Sequence, residues 1–368
     1  MPATTSLGFS PIGRNQMTPP SPDQIEVTLI GPNVGECVIL HYAEEWIIVD
    51  SCISRGTKMP AAISYLQSIG IDPQKIKIVA CSHWHDDHIR GIGDILQFAP
   101  NAKFWMSNAL AAKEFLTLIS AYREWPKDGS EFTSGLEELA KCLDIVKSRG
   151  QAPHFANHDQ RLLLWPNSSA ELWALSPSAE TTRVSLVNMS SMLPVNWAKK
   201  TALPSGPNHV AVAMHFRAGA HSILLGSDLE EHGNTQTGWN AVLSSQGRPN
   251  SIASLYKVAH HGSQTGEHPG IWSQLLTSTP ISILTPFTRS DLPRHDDVTR
   301  ITTNSSSTYI SSMGKATVGK RSGALAKAVK QKKLASLELH AGAVQCRINA
   351  ADATANWSVT LLGGAGRL

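Results

Sequence analysis

The residues best able to do chemistry crowd into one short stretch, "CSHWHDDHIRG", from Cys81 to Gly91. His83, His85 and His88, with Asp86 and Asp87 among them, follow directly on an apolar run. His83 and His85 stand two apart, so an extended loop leaving a strand turns both rings to the same side. Asp87 and His88 come next, where a helix would begin. Imidazoles and a carboxylate at this density suit a divalent ion such as Zn²⁺ or Mn²⁺. Two ligand pairs offset along the loop serve two ions better than one. A polar helix cap would account for Asp87 but not for three histidines.

One loop cannot complete two coordination shells, so further ligands must come from other strand ends. "WIIVDS" delivers Asp50, "ILLGSD" delivers Asp228, and "LYKVAHHGS" delivers His260 and His261. Each is an apolar run ending abruptly in a ligand-type residue, as expected of an α/β site built at strand C-termini. An Asp at a strand end can also cap a helix, but these ends come in the company of the histidine loop.

The elements that must position these groups are legible as well. "IEVTLIG", "ECVILHYAEEWIIVDS" and "KIKIVACS" read as strands, and "MPAAISYLQSIG" between them carries Ala62, Ile63, Leu66 and Ile69 at helical spacing. "SGLEELAKCLDIVKSRG" reads as a helix with Leu136, Leu139, Leu143 and Val146 on one face. "RLLLW" and "ELWALSPS" follow as strands, then an irregular stretch from Ala179 to Pro207, then "HVAVAMHFRAG", "HSILLGSD", "SLYKVAHHGS" and "ISILTPF" as strands with the helix "TGWNAVLSSQG" inserted. Strands alternating with helices imply an α/β architecture with helices outside the sheets.

Composition bounds the rest. The chain has 368 residues, 41% hydrophobic and 17% charged, which fits a globular protein and excludes a disordered one. No window of about 18 uninterrupted apolar residues occurs and no basic flank leads into an apolar run at the N-terminus, so a cytoplasmic location without a membrane span is expected. Five scattered cysteines without a CxxC pair argue against a disulfide framework or a thiolate zinc site. A net charge of +3 implies no polyanion partner by itself. Its distribution is uneven: Lys315, Lys320, Arg321, Lys327, Lys330, Lys332 and Lys333 form a segment without Asp or Glu. A solvated helix face is the plain reading of that segment. "LPRHDDVTRI" ahead of that segment reads as a charged turn, and two strands after it, "ASLELHAGAVQCRI" and "WSVTLLGG", could form a hairpin or add to a sheet.

"HWHDDH" reads HxHxDH from His83 to His88 and resembles the signature of the metallo-β-lactamase superfamily of metal-dependent hydrolases. The order "NHVAVAMHF", "ILLGSDLEE", "VAHHGS" is similar, more narrowly, to the hydrolase domain of ComEC DNA-uptake proteins and its soluble relatives. The resemblance spans about residues 25–287. It implies an αββα sandwich, two mixed sheets flanked by helices, here with a helical insertion at about 110–207 and a C-terminal extension. The expected organisation is a disordered tail over 1–24, a hydrolase domain over 25–290 and an extension over 291–368 with the basic segment and a β-hairpin. By position, the resemblance gives His83 and His85 to the first metal, Asp87 and His88 to the second, Asp228 as the bridge, and one of His260 and His261 to the second site. Asp50 is expected to fix the loop by hydrogen bonds. Two departures stand out. The histidine that many relatives carry between the loop and the bridging Asp has no clean equivalent; Asn208 and His209 stand in that neighbourhood, and His154 and His158 lie further upstream. Arg90 replaces a commoner glycine and could face an anionic substrate.

Two divalent ions sharing a water imply hydrolysis by a metal-bridging hydroxide, with Asp87 or Asp228 taking its proton. Ser263 could donate a hydrogen bond to substrate or serve only its turn. The leading expectation is a phosphoesterase, phosphodiesterase or nuclease whose partner is a phosphate-containing substrate, a nucleotide or nucleic acid. An ester, lactone or thioester hydrolase is the second reading, with Trp84 and other tryptophans lining an apolar pocket or simply the core. A catalytically silent, metal-stabilised binding module is the third, and the bridging carboxylate argues against it.

Overall fold

Alternation of side chains along the strands decides the architecture. The computed structural model describes residues 18–32, 34–54, 57–111, 115, 119, 131–192, 207–313 and 342–368. One sheet comprises β1 (Gln24–Gly31), β2 (Cys37–Tyr42), β3 (Glu45–Val49), β4 (Ile76–Cys81), β5 (Lys103–Ser107), β6 (His154–Ala156), β14 (Gly342–Asn349) and β15 (Ser358–Leu362), in the order β15-β14-β1-β2-β3-β4-β5-β6. The other comprises β7 (Gln160–Trp165), β8 (Ala170–Ala174), β9 (Met214–Ala218), β10 (His221–Leu225), β11 (Ala253–Lys257), β12 (Leu276–Leu284), β13 (Ser307–Ile310) and β16 (Gly366–Arg367), in the order β16-β13-β12-β11-β10-β9-β8-β7.

In β2, Val38 and Leu40 enter a core shared with Met214, Phe216, Ile223 and Leu255 of the second sheet. Ile39, one residue out of phase, packs in a different core with Ile63 and Leu66 of α1 (Ala61–Ser68), Ile95 of α3 (Ile92–Phe98) and Leu139 of α4 (Glu131–Ser148). The far face of the second sheet does likewise: Leu224, Tyr256 and Leu284 pack with Trp239 of α6 (Gly238–Ser244) and Ile301 of α7 (His295–Thr303). Strands apolar on both faces therefore force helix, sheet, sheet, helix. The fold is the expected αββα sandwich.

Parallel pairing sets where chemistry can gather. β3 runs parallel to β4, and β10, β11, β12 and β13 are mutually parallel neighbours. Their C-terminal ends bring out Asp50, the histidine loop, Asp228, the His260–His261 turn and Thr285. The loop itself passes into the short helix α2 (Asp86–Ile89).

Three expectations change. Ala179–Met192 forms helix α5 at the start of the stretch read as irregular. Ser178 Oγ accepts from Thr181 N at 3.0 Å and Glu180 pairs with Arg183 at 2.7 Å, so its first turn is held by capping rather than by an apolar stripe. "LPRHDDVTRI" is not merely a charged turn, since it opens α7: Asp297 accepts from Arg294 N at 3.0 Å and pairs with Arg300 at 2.9 Å. The residues beyond 291, expected as an extension, supply β13, β14, β15 and β16 to the two sheets. β14 and β15 do pair antiparallel, but β14 also lies against the whole of β1. Residues 1–17, most of the stretch read as irregular after Met192, and the basic segment Lys315–Lys333 lie outside the described residues.

A buried polar network fastens β14 to β1. Glu26 accepts from Tyr65 Oη at 2.6 Å, from Thr28 Oγ1 at 2.9 Å and from Arg347 Nε at 2.7 Å, and Gln345 Nε2 donates to Tyr65 Oη at 2.6 Å. Removing one partner leaves a buried charge without its counterpart. Arg347→Met is therefore expected to lower the unfolding free energy by about 3 kcal/mol, read from urea denaturation; a change within experimental error would show that β14 is not held this way.

Candidate metal centre

The histidine loop is fixed before any ligand arrives. Asp50, itself in the left-handed region at φ 63°, accepts from Ser82 N at 2.7 Å on one oxygen and from Ser82 Oγ at 2.6 Å and His88 Nδ1 at 2.8 Å on the other. Ser82 Oγ also lies 3.0 Å from His83 Nδ1. Backbone bonds tie the loop down: Asp50 N donates to Ala80 O at 2.8 Å, Ser51 N to His88 O at 2.6 Å and Glu36 N to Asp87 O at 2.8 Å. With their Nδ1 atoms engaged, His83 and His88 present Nε2 to the centre.

The opposing groups come from the second sheet. Gly226 precedes Asp228, and a Cβ there would stand 2.9 Å from the Ala259 backbone, so only glycine lets these two strand ends approach so closely. His260, His261 and Gly262 are all in the left-handed region, at φ 46°, 53° and 84°. This turn sends the two rings different ways. His261 Nδ1 is 2.8 Å from Thr285 Oγ1, which donates to Glu36 Oε2 at 2.7 Å, and Glu36 pairs with Lys257 in a fully buried contact. His260 Nδ1 instead lies 3.0 Å from Glu230 Oε1. Arg300 Nη2, from α7, donates to Gly262 O at 2.7 Å and braces the turn.

Two donor sets result, and Asp228 belongs to both: Asp87, His88, Asp228 and His261 in one, His83, His85 and Asp228 in the other. His88 Nε2 is 3.3 Å from Asp228 Oδ1 and 3.6 Å from Asp87 Oδ2. His261 Nε2 is 3.2 Å from Asp87 Oδ2 and 3.7 Å from Asp228 Oδ2. His83 Nε2 is 3.2 Å from His85 Nδ1 and 3.9 Å from Asp228 Oδ2. Donors about 2.0–2.1 Å from a tetrahedral ion stand about 3.3 Å apart, which is the spacing seen. His88 Nε2 and Asp228 Oδ1 are also buried without a hydrogen-bond partner among the described residues. Such atoms are costly unless something binds them. These donor groups could thus hold divalent metal.

Electrostatics agrees. Burial opposes charge on Asp228 and Asp87, yet His88 and His261 hold both carboxyls below the usual range. Burial would also discharge His88, but Asp228, Asp87 and Asp50 favour its charged form strongly. Among the described residues the ion-pair partners of these three carboxylates are all histidines. Burial pushes His83 and His85 down, keeping both rings in the neutral form that ligates.

The remaining predicted residues scatter around this core. Arg90 pairs with Asp86 at 2.5 Å while its side chain stays half-exposed. His209 stacks on His232 with ring centroids 4.0 Å apart, His154 stacks on Trp105 at 4.8 Å, and His158 lies 3.3 Å from Asp159. None of the three joins the donor sets. Ser263 Oγ accepts from Thr265 N at 3.3 Å within its turn. Trp84 is buried against Phe115 in the helix-side core. Ser82, Glu36, Lys257, Thr285 and Glu230 are site residues that the sequence reading missed; a lysine inside the apolar run "SLYKVA" was the available signal.

Residues 30–158 match the family model described as metallo-beta-lactamase superfamily. The fold is that superfamily's sandwich. Similar solved structures include MIM-2 metallo-beta-lactamase, 15% identical with a TM-score of 0.31 over 55% of this chain and 58% of that one. A Cronobacter sakazakii metallo-beta-lactamase with a HARLDQ motif is 16% identical with a TM-score of 0.31 over 56% and 61%. Rm3 metallo-beta-lactamase is 15% identical with a TM-score of 0.34 over 65% and 77%. The chain thus spans less than two thirds of the first two. No curated protein matches it. Within the superfamily pattern, the matched segment holds the histidine loop and Asp50, while Asp228 and His261 come from outside it.

The hydrogen bonds of Asp50 yield a direct prediction. Asp50→Asn places an amide where three donors converge, so metal affinity is expected to fall about 10–100-fold, read by competition with a chromogenic chelator. Unchanged affinity would mean that Asp50 does not orient the ligands.

Proposed function

We propose that the protein is a binuclear metal-dependent hydrolase of phosphodiesters, acting on a nucleotide or nucleic acid. The observation that carries the reading is Asp228, whose carboxylate faces both donor sets at once. A module that merely bound one ion would not need a carboxylate shared in this way. Zn²⁺ or Mn²⁺ suits the mixture of imidazole and carboxylate donors.

When bound, a pair of divalent ions supplies a water of lowered pKa and neutralises charge developing on the substrate oxygens. The chain's own groups do the rest. Asp50 keeps a proton on His88 Nδ1 and so leaves Nε2 free to ligate. Thr285, held by Glu36, does the same for His261. Asp87 and Asp228, kept ionised by the histidines around them, can accept a proton from the attacking water. His260, part-exposed at the rim with Nδ1 against Glu230, can pass a proton to a leaving group. No protein serine or cysteine is needed as nucleophile; all five cysteines are buried.

The phosphodiester assignment rests on the ComEC-like order of Asn208, Asp228 and "HHGS", and on the acid-free basic run Lys315–Lys333, whose charge suits a polyanion. Among the described residues no helix is long and apolar enough to cross a membrane.

Elemental analysis of wild type and Asp228→Ala, with turnover of bis-(p-nitrophenyl) phosphate under Mn²⁺ or Zn²⁺, tests the proposal. Near two ions per chain and phosphodiester turnover are expected for wild type, with turnover lost in the variant. Bound metal with turnover only of carboxylic esters or thioesters would contradict the phosphodiester reading, and no bound metal would contradict the enzyme. If the basic run contacts phosphates, the affinity for single- or double-stranded DNA should also fall steeply between about 50 and 200 mM salt, read by fluorescence anisotropy.

A further inference from the structure

Two histidines that take no part in the donor sets stand at the rim of the metal centre. His209 lies on the short helical turn Pro207–Val210, and His232 lies on the loop that leads from Asp228 to α6. Their ring centroids are 4.0 Å apart, with the planes tilted by 40°. Each is tied to the edge of the centre. Asn208, next to His209, has Nδ2 3.2 Å from His260 Nε2, and Glu230 lies 3.0 Å from His260 Nδ1 and 3.5 Å from His232 Nε2. His260 Nε2 in turn is 3.9 Å from Asp228 Oδ2. Glu230 and His260 thus separate the His232 ring from Asp228, much as a sugar separates a base from its phosphate.

The pair presents ring surface on a fixed backbone. Glu231 N donates to Thr265 O at 2.8 Å, and the Glu231 carboxylate accepts from Gly233 N at 2.6 Å and from Asn240 Nδ2 at 2.7 Å, so the chain on both sides of His232 is pinned. The His232 side chain nevertheless stays 32% exposed. His209 is half-buried, and among the described residues no hydrogen bond reaches its ring nitrogens. Burial and the neighbouring His232 hold that ring below the usual imidazole range, which leaves it uncharged. A neutral imidazole offers one N–H donor, one lone pair and a flat face. The Glu230 carboxylate beside His232 opposes a second phosphate at this place. An uncharged aromatic heterocycle suits it, and histidine is among the side chains on which nucleobases stack.

We infer that His209 and His232 form a stacking platform for one nucleobase of the substrate, so that the preferred substrates are nucleoside phosphodiesters. The inference rests on the phosphodiester reading above. The metal centre takes the phosphate and the platform takes the base beside it, which makes the two histidines determinants of specificity and not of the chemical step.

Steady-state cleavage of thymidylyl-thymidine, and of its two analogues in which one thymidine is replaced by abasic deoxyribose, tests this with the Mn²⁺-loaded full chain. Wild type, His209→Ala, His232→Ala and His232→Phe are compared, with thermal unfolding as a check on folding. Wild type is expected to prefer the dinucleotide over one of the analogues. In either alanine variant that preference should fall by about 10-fold, through KM with kcat little changed, whereas His232→Phe, which keeps a flat ring, should retain it. Calorimetric titration with the uncleaved methylphosphonate analogue of the dinucleotide reads base binding apart from turnover, and the alanine variants should weaken it by about 10-fold as well. Wild type without a preference for the base, or folded variants that slow all the substrates alike and leave the methylphosphonate affinity unmoved, would overturn the platform and leave the phosphodiesterase standing. A wild type that cleaves no phosphodiester, bis-(p-nitrophenyl) phosphate included, would overturn both.

Discussion

Everything in this structure turns on keeping Asp87 and Asp228 ionised, beside a buried Asp50, where strand ends of the two sheets meet. Bringing three carboxylates together in a low-dielectric place is strongly unfavourable unless positive charge is supplied. Histidines supply what they can: His88 stands against all three carboxylates, and His261 against Asp87 and Asp228. Imidazole Nε2 atoms at 3.2–3.9 Å from carboxylate oxygens are placed better for shared ions than for direct pairing. The fold's parallel strands, its glycine at Gly226 and its left-handed turn at His260–Gly262 all serve that convergence.

Support for the centre reaches deep into the sandwich. The chain His261, Thr285, Glu36, Lys257 runs from the ligand into a fully buried ion pair between the two sheets' ends. Lys257 Nζ also donates to Ser227 O at 3.0 Å, one residue before Asp228. A single buried cation therefore fixes both the turn that offers His261 and the strand end that offers Asp228. Such pairs gain little net stability; their value here is in holding two ligands in one geometry.

Much of this was legible in the sequence because the informative signals were local. Apolar runs ended by Asp50, Asp228 and His260–His261 announced strand ends, and "HWHDDH" announced the ligand loop. What stayed hidden depended on contacts between distant residues. Glu36 and Lys257 lie far apart in the chain and look unremarkable until the sheets pack. That β14 could join a sheet was legible, but not that it lies along β1, which stands at the other end of the chain. The helix Ala179–Met192 was missed because it lacks a clean apolar stripe and is held instead by its Ser178 cap. The pairing of Arg90 with Asp86, four residues earlier, likewise shows only once the short helix between them forms.

The most direct test of the central claim is a crystal structure of the full chain grown with Mn²⁺, with anomalous diffraction recorded to locate the ions. The account predicts two anomalous peaks about 3.5–4 Å apart, one on either side of the Asp228 carboxylate, the first beside His83 and His85 and the second beside Asp87, His88 and His261. A single peak, or two that do not share Asp228, would contradict it.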